Sequence, residues 1–320
     1  MPELDRIAAE TGFSGVVRVD DSDGIVLEKA FGLADRAHEI PNRIDTQFAI
    51  ASGTKGLTAL AVVSLIAEGR LDLSTRVRSV LGDDLPLIGD AVTLEQLLAH
   101  RSGIGDYLDE ELDLDLADYP MPVPVHELAT TEQYLSVLDG HPMKFEPDAR
   151  FAYCNSGYVV LALVAERVSG VPFPDLVQER VCGPARMHDT AFLRSDELPP
   201  RAARGYLEVE GRWRTNVFHL PVRGSGDGGI YSTAADISSL WHAFFTGRIV
   251  PADWIGEMTR PRSERYGLGF WLEPTAVRLE GGDAGVVFRS VHDPSTGVTQ
   301  TLMSNGSAGT REVWRSLVSS

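Results

Sequence analysis

The chain has 320 residues, of which 43% are hydrophobic, a composition typical of a globular protein with room for a sizeable core. Its formal net charge of −17 argues against nucleic acid or an anionic membrane as a partner, because both favour Lys and Arg. The two cysteines, Cys154 and Cys182, are too few for a disulfide framework, so a reducing compartment is expected.

The first residues do not resemble an export signal. The segment from Met1 to Phe13 carries acids at positions 3, 5 and 10 and has neither a basic start nor an apolar core. No part of the chain approaches the roughly 18 consecutive apolar residues of a membrane span. We therefore expect a cytoplasmic protein that acts on a small molecule and has no membrane partner.

The first quarter of the chain predicts a helix, a hairpin and a buried helix. Residues 2–11 form an amphipathic helical pattern, and the strand-like segments 15–19 and 25–28 are joined by a turn-rich link. From Leu57 to Glu68, apolar residues recur at the helical period and also cover the opposite side. This pattern indicates a buried central helix.

The middle of the chain is mostly helical in pattern. Helices are predicted over residues 93–98, 131–138, 157–168 and 234–245. Between them, the acidic residues 106–118 and the prolines that follow form the least regular segment, which is typical of a binding loop. We interpret the run Asp109-Glu110-Glu111 within it as a solvated surface.

The last part of the chain is rich in strand patterns. Strands are predicted at residues 266–272, 276–279, 285–291 and 298–305, before a closing helix at 312–318. Strands at both ends and helices between them predict an α/β (α+β) fold, with an antiparallel sheet built from both termini and flanked by helices. We place this α/β domain at residues 1–75 and 215–320 and a mostly helical insertion domain at 76–214, packed into one catalytic unit.

Ser52 and Lys55 form the first candidate catalytic pair. Three residues apart, they lie about one turn apart on the same side of a helix, so the amine can take the proton of the hydroxyl. A helix N-terminus favours a developing oxyanion and lowers the pKa of an amine beside it. The alternative is a serine N-cap followed by a surface lysine. With 23 serines and three lysines in 320 residues, chance supplies about 0.2 such matches, which favours the catalytic interpretation.

Tyr153 and Asn155 form the second candidate. In an extended segment their side chains face the same side, and Cys154 faces the other. A phenol and a carboxamide in one cleft can relay a proton and hold a substrate amide or the catalytic lysine. A structural tyrosine at a helix entrance is the alternative. We expect Cys154 to be a core residue rather than a nucleophile.

The order and spacing of these motifs resemble the serine β-lactamase-related family, which holds class C β-lactamases, DD-peptidases, esterases and D-amino-acid peptidases. The resemblance covers nearly the whole chain. Besides Ser-x-x-Lys and Tyr-x-Asn, three segments resemble a structural loop, a turn before a helix and a strand near the site. These are residues 97–103, 228–233 and 266–270.

The resemblance implies a β-lactamase/transpeptidase-like fold and an acyl-enzyme mechanism. By position, it implies that Ser52 is the nucleophile, Lys55 its base or the base's partner, and Tyr153 a second proton relay. It further implies that Asn155 positions Lys55 and the substrate. Whether Lys55 or Tyr153 is the base stays open.

This sequence differs from the family pattern at the third motif. Lys-Thr-Gly or His-x-Gly is expected on a strand beside the serine, and Leu279-Glu280-Gly281 aligns with it. Leu279 replaces a cation whose loss costs roughly a few kcal/mol with an anionic substrate, although a shifted alignment would let Arg278 supply a charge. The backbone N–H groups of Ser52 and Gly282 are still expected to form the oxyanion hole. Residues 279–281 are the candidate substrate contacts.

Weaker patterns predict neither a cofactor nor a metal site. Residues 224–229 fit G-x-G-x-x-G but lack the preceding apolar strand, so we interpret them as a glycine-rich wall near the cleft. The His-Asp pairs at 188–189 and 292–293 lack metal-ligand spacing. His100 is interpreted as a structural hydrogen-bonding residue.

We therefore expect a serine hydrolase that acts on an ester or amide through a Ser52 acyl-enzyme. The missing cation favours an esterase, amidase or D-amino-acid peptidase-like enzyme over an efficient β-lactamase. Two alternatives stay open: a transacylase of specialised metabolism that uses the same nucleophile, and a catalytically weak binding or scaffold protein on this fold.

Overall fold

A computed structural model describes residues 2–112, 119–263 and 265–318 of the chain. Residues 113–118, part of the segment predicted to be an irregular binding loop, lie outside the described residues. The fold is a mixed α/β structure, which confirms the predicted fold class, whereas the division into domains at residues 75/76 and 214/215 stays a prediction.

The main sheet has six antiparallel strands in the order β2-β1-β12-β11-β10-β9. These strands are β1 (Gly15–Asp21), β2 (Gly24–Phe31), β9 (Trp271–Leu272), β10 (Val277–Asp283), β11 (Val286–His292) and β12 (Thr299–Ser304). The first hairpin joins the last strands where Gly15 pairs with Ser304 in β1 and β12. The sheet is therefore built from both ends of the chain.

Three smaller hairpins and pairs complete the strands. They comprise β3 (Leu33–Asp35) with β4 (Ile40–Pro41), β5 (Phe48–Ala49) with β8 (Tyr231–Ser232), and β6 (Tyr206–Val209) with β7 (Arg212–Thr215).

Helices cover both faces of the main sheet. They are α1 (Pro2–Thr11), α2 (Thr54–Ala67), α3 (Arg78–Leu81), α4 (Leu94–Leu98), α5 (Leu135–Leu138), α6 (Asn155–Ser169), α7 (Phe173–Val177), α8 (Gly183–Ala185), α9 (Ala234–Phe245), α10 (Ala252–Thr259) and α11 (Thr310–Val318). Because strand side chains alternate, Val16 of β1 joins the large core around α2 and α6. Its neighbour Val17 joins a smaller core beneath α1 and α11.

Helix α2 lies at the centre of the molecule. Every residue from Thr54 to Ile66 is buried, as the apolar pattern on both of its sides predicts. The helix begins at Thr54 rather than Leu57, because a 3-10 turn at Ala51–Gly53 leads directly into it. Ser52 therefore lies in that turn, two residues before the first α-helical residue, Thr54.

The predicted strand at residues 266–272 is wrong over most of its length. Only Trp271–Leu272 is a strand, because the preceding residues form a tight turn in which the Gly267 N–H donates to the Phe270 carbonyl. Gly269 has a φ of +89°, a conformation that other residues rarely adopt. The predicted helix at 131–138 is a 3-10 turn at Thr131–Tyr134 followed by the short α5.

None of the helices within the described ranges has the length and apolar character needed to cross a bilayer.

Candidate active site

A strained turn presents Ser52 at the edge of the main sheet. The pair β5–β8 leads into this turn, and the residue before the serine, Ala51, has a φ of +44°. A non-glycine residue in the left-handed region is costly, and such strain persists where the surroundings hold it. Gly53 completes the turn beneath the ring of Phe288, where an added β-carbon would come within 2.4 Å.

Lys55 lies in the first turn of α2, is only 1% exposed, and points toward Ser52. Its Nζ lies 3.0 Å from Ser52 Oγ, 2.8 Å from Asn155 Oδ1 and 2.8 Å from the carbonyl oxygen of Asp227. Three acceptors thus surround one buried amine. The structure brings together the predicted pair Ser52 and Lys55, together with Asn155.

Asn155 is held in place by the start of helix α6. The Asp106 carboxylate accepts hydrogen bonds from the backbone N–H groups of Asn155 (2.7 Å) and Ser156 (2.9 Å) and from the Ser156 hydroxyl. Burial raises the pKa of Asp106 to about 6, although these hydrogen bonds act in the opposite direction. A buried acid therefore fixes the start of the helix that carries Asn155.

Tyr153 faces the same site from the other side of Ser52. The Tyr153 ring centroid lies 4.8 Å from Lys55 Nζ. Trp271 stacks on this ring at 6.1 Å, and His100 packs against it at 4.4 Å. Burial raises the pKa of Tyr153 well above its usual value, although the Ser52 side chain acts on its hydroxyl in the opposite direction, so the phenol is protonated at neutral pH.

His100 supports this arrangement from within the core. It is 1% exposed, adopts a φ of +55°, and its Nδ1 accepts a hydrogen bond from the Cys154 backbone N–H at 3.1 Å. Burial lowers the pKa of His100 well below its usual value, so the ring is neutral. This agrees with the predicted structural role. Cys154 is buried as expected, and burial raises the pKa of its thiol well above the usual value.

Strand β10 runs beside the turn that carries Ser52. A β-carbon on Gly281 would come within 2.5 Å of both the Ser52 backbone nitrogen and the Ile50 carbonyl oxygen, so only glycine fits there. At Gly282 no atom lies within 4 Å of such a carbon, and the residue opens onto the cleft. Gly282 therefore lies on the cleft wall together with Ser52, and the role of its N–H in an oxyanion hole stays a prediction.

Of the other two residues of the third motif, Leu279 lies elsewhere than expected and Glu280 faces the cleft. Leu279 is 2% exposed and packs its side chain under α2, where a β-carbon on Gly56 would meet it at 2.5 Å. It therefore forms part of the floor beneath the cleft, which differs from the expected substrate contact. Glu280 does face the cleft, but it pairs with Arg278 at 3.2 Å and Arg289 at 3.3 Å. Arg278 is not a free cation.

Three acids near Ser52 were not predicted to belong to the site. Asp227, in the glycine-rich wall, accepts a hydrogen bond from the Tyr107 hydroxyl at 2.5 Å, and its carbonyl holds Lys55. Glu110 accepts from Asn155 Nδ2 at 3.2 Å. Asp283 ends β10 directly after Gly282. The only sequence signal was proximity to predicted motifs.

The interpretation of Asp109-Glu110-Glu111 as a solvated run is incomplete, because Glu110 and Glu111 are exposed whereas Asp109 is half-buried. Asp109 and Glu111 both pair with Lys144, and Glu111 also pairs with Arg150. These ion pairs hold the loop so that Glu110 turns toward the nucleophile. The acidic run by itself indicated an exposed segment. It could not show that Lys144 and Arg150, which are distant in the chain, hold this loop in one conformation.

Two cavities meet at Ser52. The first, which we call the acidic cavity, has about 1000 Å³ of empty volume including space open to solvent, and its wall includes Glu110, Asp227 and Asp283. The second, the tyrosine groove, is lined by Tyr153, Trp271, Glu280 and Arg289. Ser52, Leu108, Glu110 and Gly282 line both. The predicted nucleophile and oxyanion hole therefore lie at the junction of two spaces that can hold the two halves of a substrate.

The comparisons with known proteins agree with this geometry. The Beta-lactamase family model matches residues 4–317. A putative penicillin-binding protein PbpX of Bacillus subtilis (strain 168) is 30% identical over 87% of this chain and 67% of its own length. Esterase EstB of Burkholderia gladioli is 30% identical over 73% of this chain and 66% of its own. The chain thus spans about two thirds of the length of these curated relatives.

A solved structure is similar over the full length. The crystal structure of a penicillin-binding protein from Bacillus halodurans superposes with a TM-score of 0.93 and 34% identity, covering 99% of each chain. The similarity therefore extends through both cavities and the whole sheet.

Proposed function

The chain belongs to the Beta-lactamase family and, with an esterase among its relatives, is a serine hydrolase; we propose that Ser52 attacks an ester or amide carbonyl to form an acyl-enzyme. The relatives do not identify the substrate, so the mechanism is argued from the site itself.

The environment of Lys55 is the observation that carries the proposal. A neutral amine can donate two hydrogen bonds and accept a third. As a cation, Lys55 donates to Ser52 Oγ at 3.0 Å and to Asn155 Oδ1 and the Asp227 carbonyl oxygen, each at 2.8 Å. Once the amine has lost the proton that faces Ser52, its lone pair takes that direction. Fixed acceptors therefore orient Lys55 to take the proton of Ser52.

The proposed reaction uses the remaining groups in sequence. Ser52 Oγ bonds to the carbonyl carbon as its proton passes to Lys55 or through Tyr153, and the backbone N–H groups of Ser52 and Gly282 stabilise the oxyanion. The carbon–oxygen or carbon–nitrogen bond then breaks, and the departing group takes a proton from the Tyr153 hydroxyl or Lys55. Water attacks the acyl-enzyme by the same route and releases the acid.

The absence of a basic residue at position 279 favours substrates other than penicillins. Leu279 occupies a buried position under α2, and Arg278 and Arg289 are both paired with Glu280. A substrate carboxylate would therefore meet no unpaired cation in the positions where the family motif carries one. We propose esterase, amidase or D-amino-acid peptidase-like activity in preference to efficient β-lactam hydrolysis.

Intact-mass measurement tests the acyl-enzyme directly. After incubation with a fluorophosphonate or 4-nitrophenyl acetate, we expect a single adduct on the wild type and on Ser22→Ala, an exposed hairpin serine, and none on Ser52→Ala. A folded wild type with neither an adduct nor ester turnover would contradict the proposal. Hydrolysis of nitrocefin faster than that of simple esters would contradict the substrate preference.

A further inference from the structure

The acidic cavity carries three carboxylates on its wall, those of Glu110, Asp227 and Asp283, and no Lys or Arg among its described lining residues. Lys55 lies beneath it and offsets part of this charge, as its effect on the pKa of Asp227 and Asp283 shows. One positive charge against three acids leaves the space negative. The rest of the wall is largely apolar and aromatic, with Tyr107, Tyr134 and Leu193 among its residues.

Asp283 is the carboxylate that lacks a partner. Asp227 accepts from Tyr107, and Glu110 accepts from Asn155. Within the described part of the chain, the Asp283 carboxylate has neither a hydrogen-bond donor nor a salt-bridge partner, and burial raises its pKa to about 7. Asp283 is half-buried on the wall of a substrate cavity, next to Gly282. A carboxylate without a partner on such a largely apolar wall is costly, which points to a group that arrives with the substrate.

The three acids do not form a metal site. Within the described residues, no group of three or more His, Cys, Asp or Glu side chains is arranged so that it could hold a metal ion. The complementary ligand is therefore an organic cation, and the apolar wall suits the short carbon chain that would carry it.

The position of Tyr153 assigns the two cavities to the two halves of the substrate. Tyr153 lines the tyrosine groove and is absent from the wall of the acidic cavity. A group that protonates the departing atom must lie on the departing side. The leaving group therefore occupies the tyrosine groove, and the acyl group that stays on Ser52 occupies the acidic cavity.

We propose that the acyl group of the substrate carries a protonated amine, which the acidic cavity binds with Asp283 as its ionic partner. This inference rests on the proposed function only for the identity of the acyl half, because the charge of the cavity does not depend on turnover. It names the substrate class as aminoacyl esters or amides with a free amine.

Three 4-nitrophenyl esters of similar shape test the proposal by turnover: β-alanyl (cationic), butyryl (neutral) and succinyl (anionic). Corrected for spontaneous hydrolysis, wild-type kcat/KM should be about tenfold or more higher for β-alanyl than for butyryl, and lowest for succinyl. Asp283→Asn should remove most of this preference. The matched control Asp23→Asn, on an exposed turn at the opposite edge of the sheet, should retain it. A wild type that prefers butyryl, or an Asp283→Asn variant that keeps the preference, would overturn the proposal.

Binding without turnover separates this inference from the proposed function. In Ser52→Ala, titration followed by NMR should show that β-alaninamide binds at least about fivefold more tightly than butyramide, and adding Asp283→Asn should equalise the two. If no ester is turned over but this preference is present, the acyl-enzyme proposal fails and the acidic cavity still binds amines. Equal binding of the two amides to Ser52→Ala would overturn the inference whatever the esters show.

Discussion

The tyrosine groove and the acidic cavity share Ser52, Leu108, Glu110 and Gly282 but differ in how their other charges are paired. In the groove, Glu280 binds both Arg278 and Arg289, so the charges neutralise one another within the protein. In the acidic cavity, Asp283 has no cation of its own. The comparison indicates that the Glu280 ion pairs stabilise the edge of the sheet, whereas the Asp283 carboxylate is available to bind a substrate.

The largest expected effect comes from removing the group that serves both cavities. Lys55→Met leaves the Asn155 and Asp227 oxygens without their donor and Ser52 without its base, so kcat/KM should fall by about 10²–10⁴-fold. All three esters should lose rate, because Lys55 acts on Ser52. The preference for the β-alanyl over the butyryl ester should be kept or rise, since the Lys55 charge that offsets the cavity acids is gone. Steady-state kinetics with circular dichroism checks this.

The control for that variant is Lys29→Met, which removes one of the other two lysines from an exposed pair with Asp5. It should retain wild-type rates with all three esters. If Lys55→Met instead slowed the β-alanyl ester alone, Lys55 would act in recognition of the acyl group. That result would contradict a single set of catalytic residues, Ser52, Lys55, Tyr153 and Asn155, which we call the common centre and which serves both cavities.

The sequence predicted the common centre far better than it predicted the cavities. Ser52 with Lys55 and Tyr153 with Asn155 lie in two short motifs, and local spacing places the members of each pair on one side. The family resemblance joined the two motifs, and the structure brings them together. The antiparallel sheet built from both termini followed from strand patterns at the two ends.

The wall of the acidic cavity depends on contacts that no local pattern records. Glu110, Asp227 and Asp283 come from three distant segments, and ion pairs to Lys144 and Arg150 fix the loop that carries Glu110. Leu279 aligned correctly with the third motif, but the alternation of strand β10 turned it into the core. The alignment therefore showed that a cation is missing at position 279, but it did not show that the Leu279 side chain is buried.

A smaller effect follows from the raised pKa of Asp283, about 7, which results from burial. As the pH falls through this value the carboxylate takes up a proton, so the preference for the β-alanyl over the butyryl ester should decline toward unity between about pH 8 and 5.5. The ratio of the two kcat/KM values reports the ionisation of the free enzyme and cancels effects on Lys55 chemistry.

Other charged groups face Asp283 and must be separated from it. Lys55, Asp227 and Glu110 act on its pKa, and His219 is a further titratable residue on the cavity wall. The pH-dependence of the ratio should persist in His219→Gln and vanish in Asp283→Asn. Its disappearance in His219→Gln would assign the transition to the histidine and weaken the contrast between the two cavities.

The smallest expected effect concerns the framework that both cavities share. Asp106 accepts three hydrogen bonds at the start of α6, where Asn155 begins the helix. In Asp106→Asn, one oxygen becomes an NH₂ group that faces N–H donors, so the free energy of unfolding should fall by about 1–3 kcal/mol. Chemical denaturation measures this loss. The control Asp253→Asn, an exposed acid in the first turn of α10, should change the free energy of unfolding by less than about 0.5 kcal/mol.

The same Asp106→Asn variant also tests the kinetics. Because α6 positions Asn155 and follows Tyr153, the hydrolysis of all three esters should slow by the same factor. A selective loss with one ester would show instead that Asp106 acts on one cavity alone.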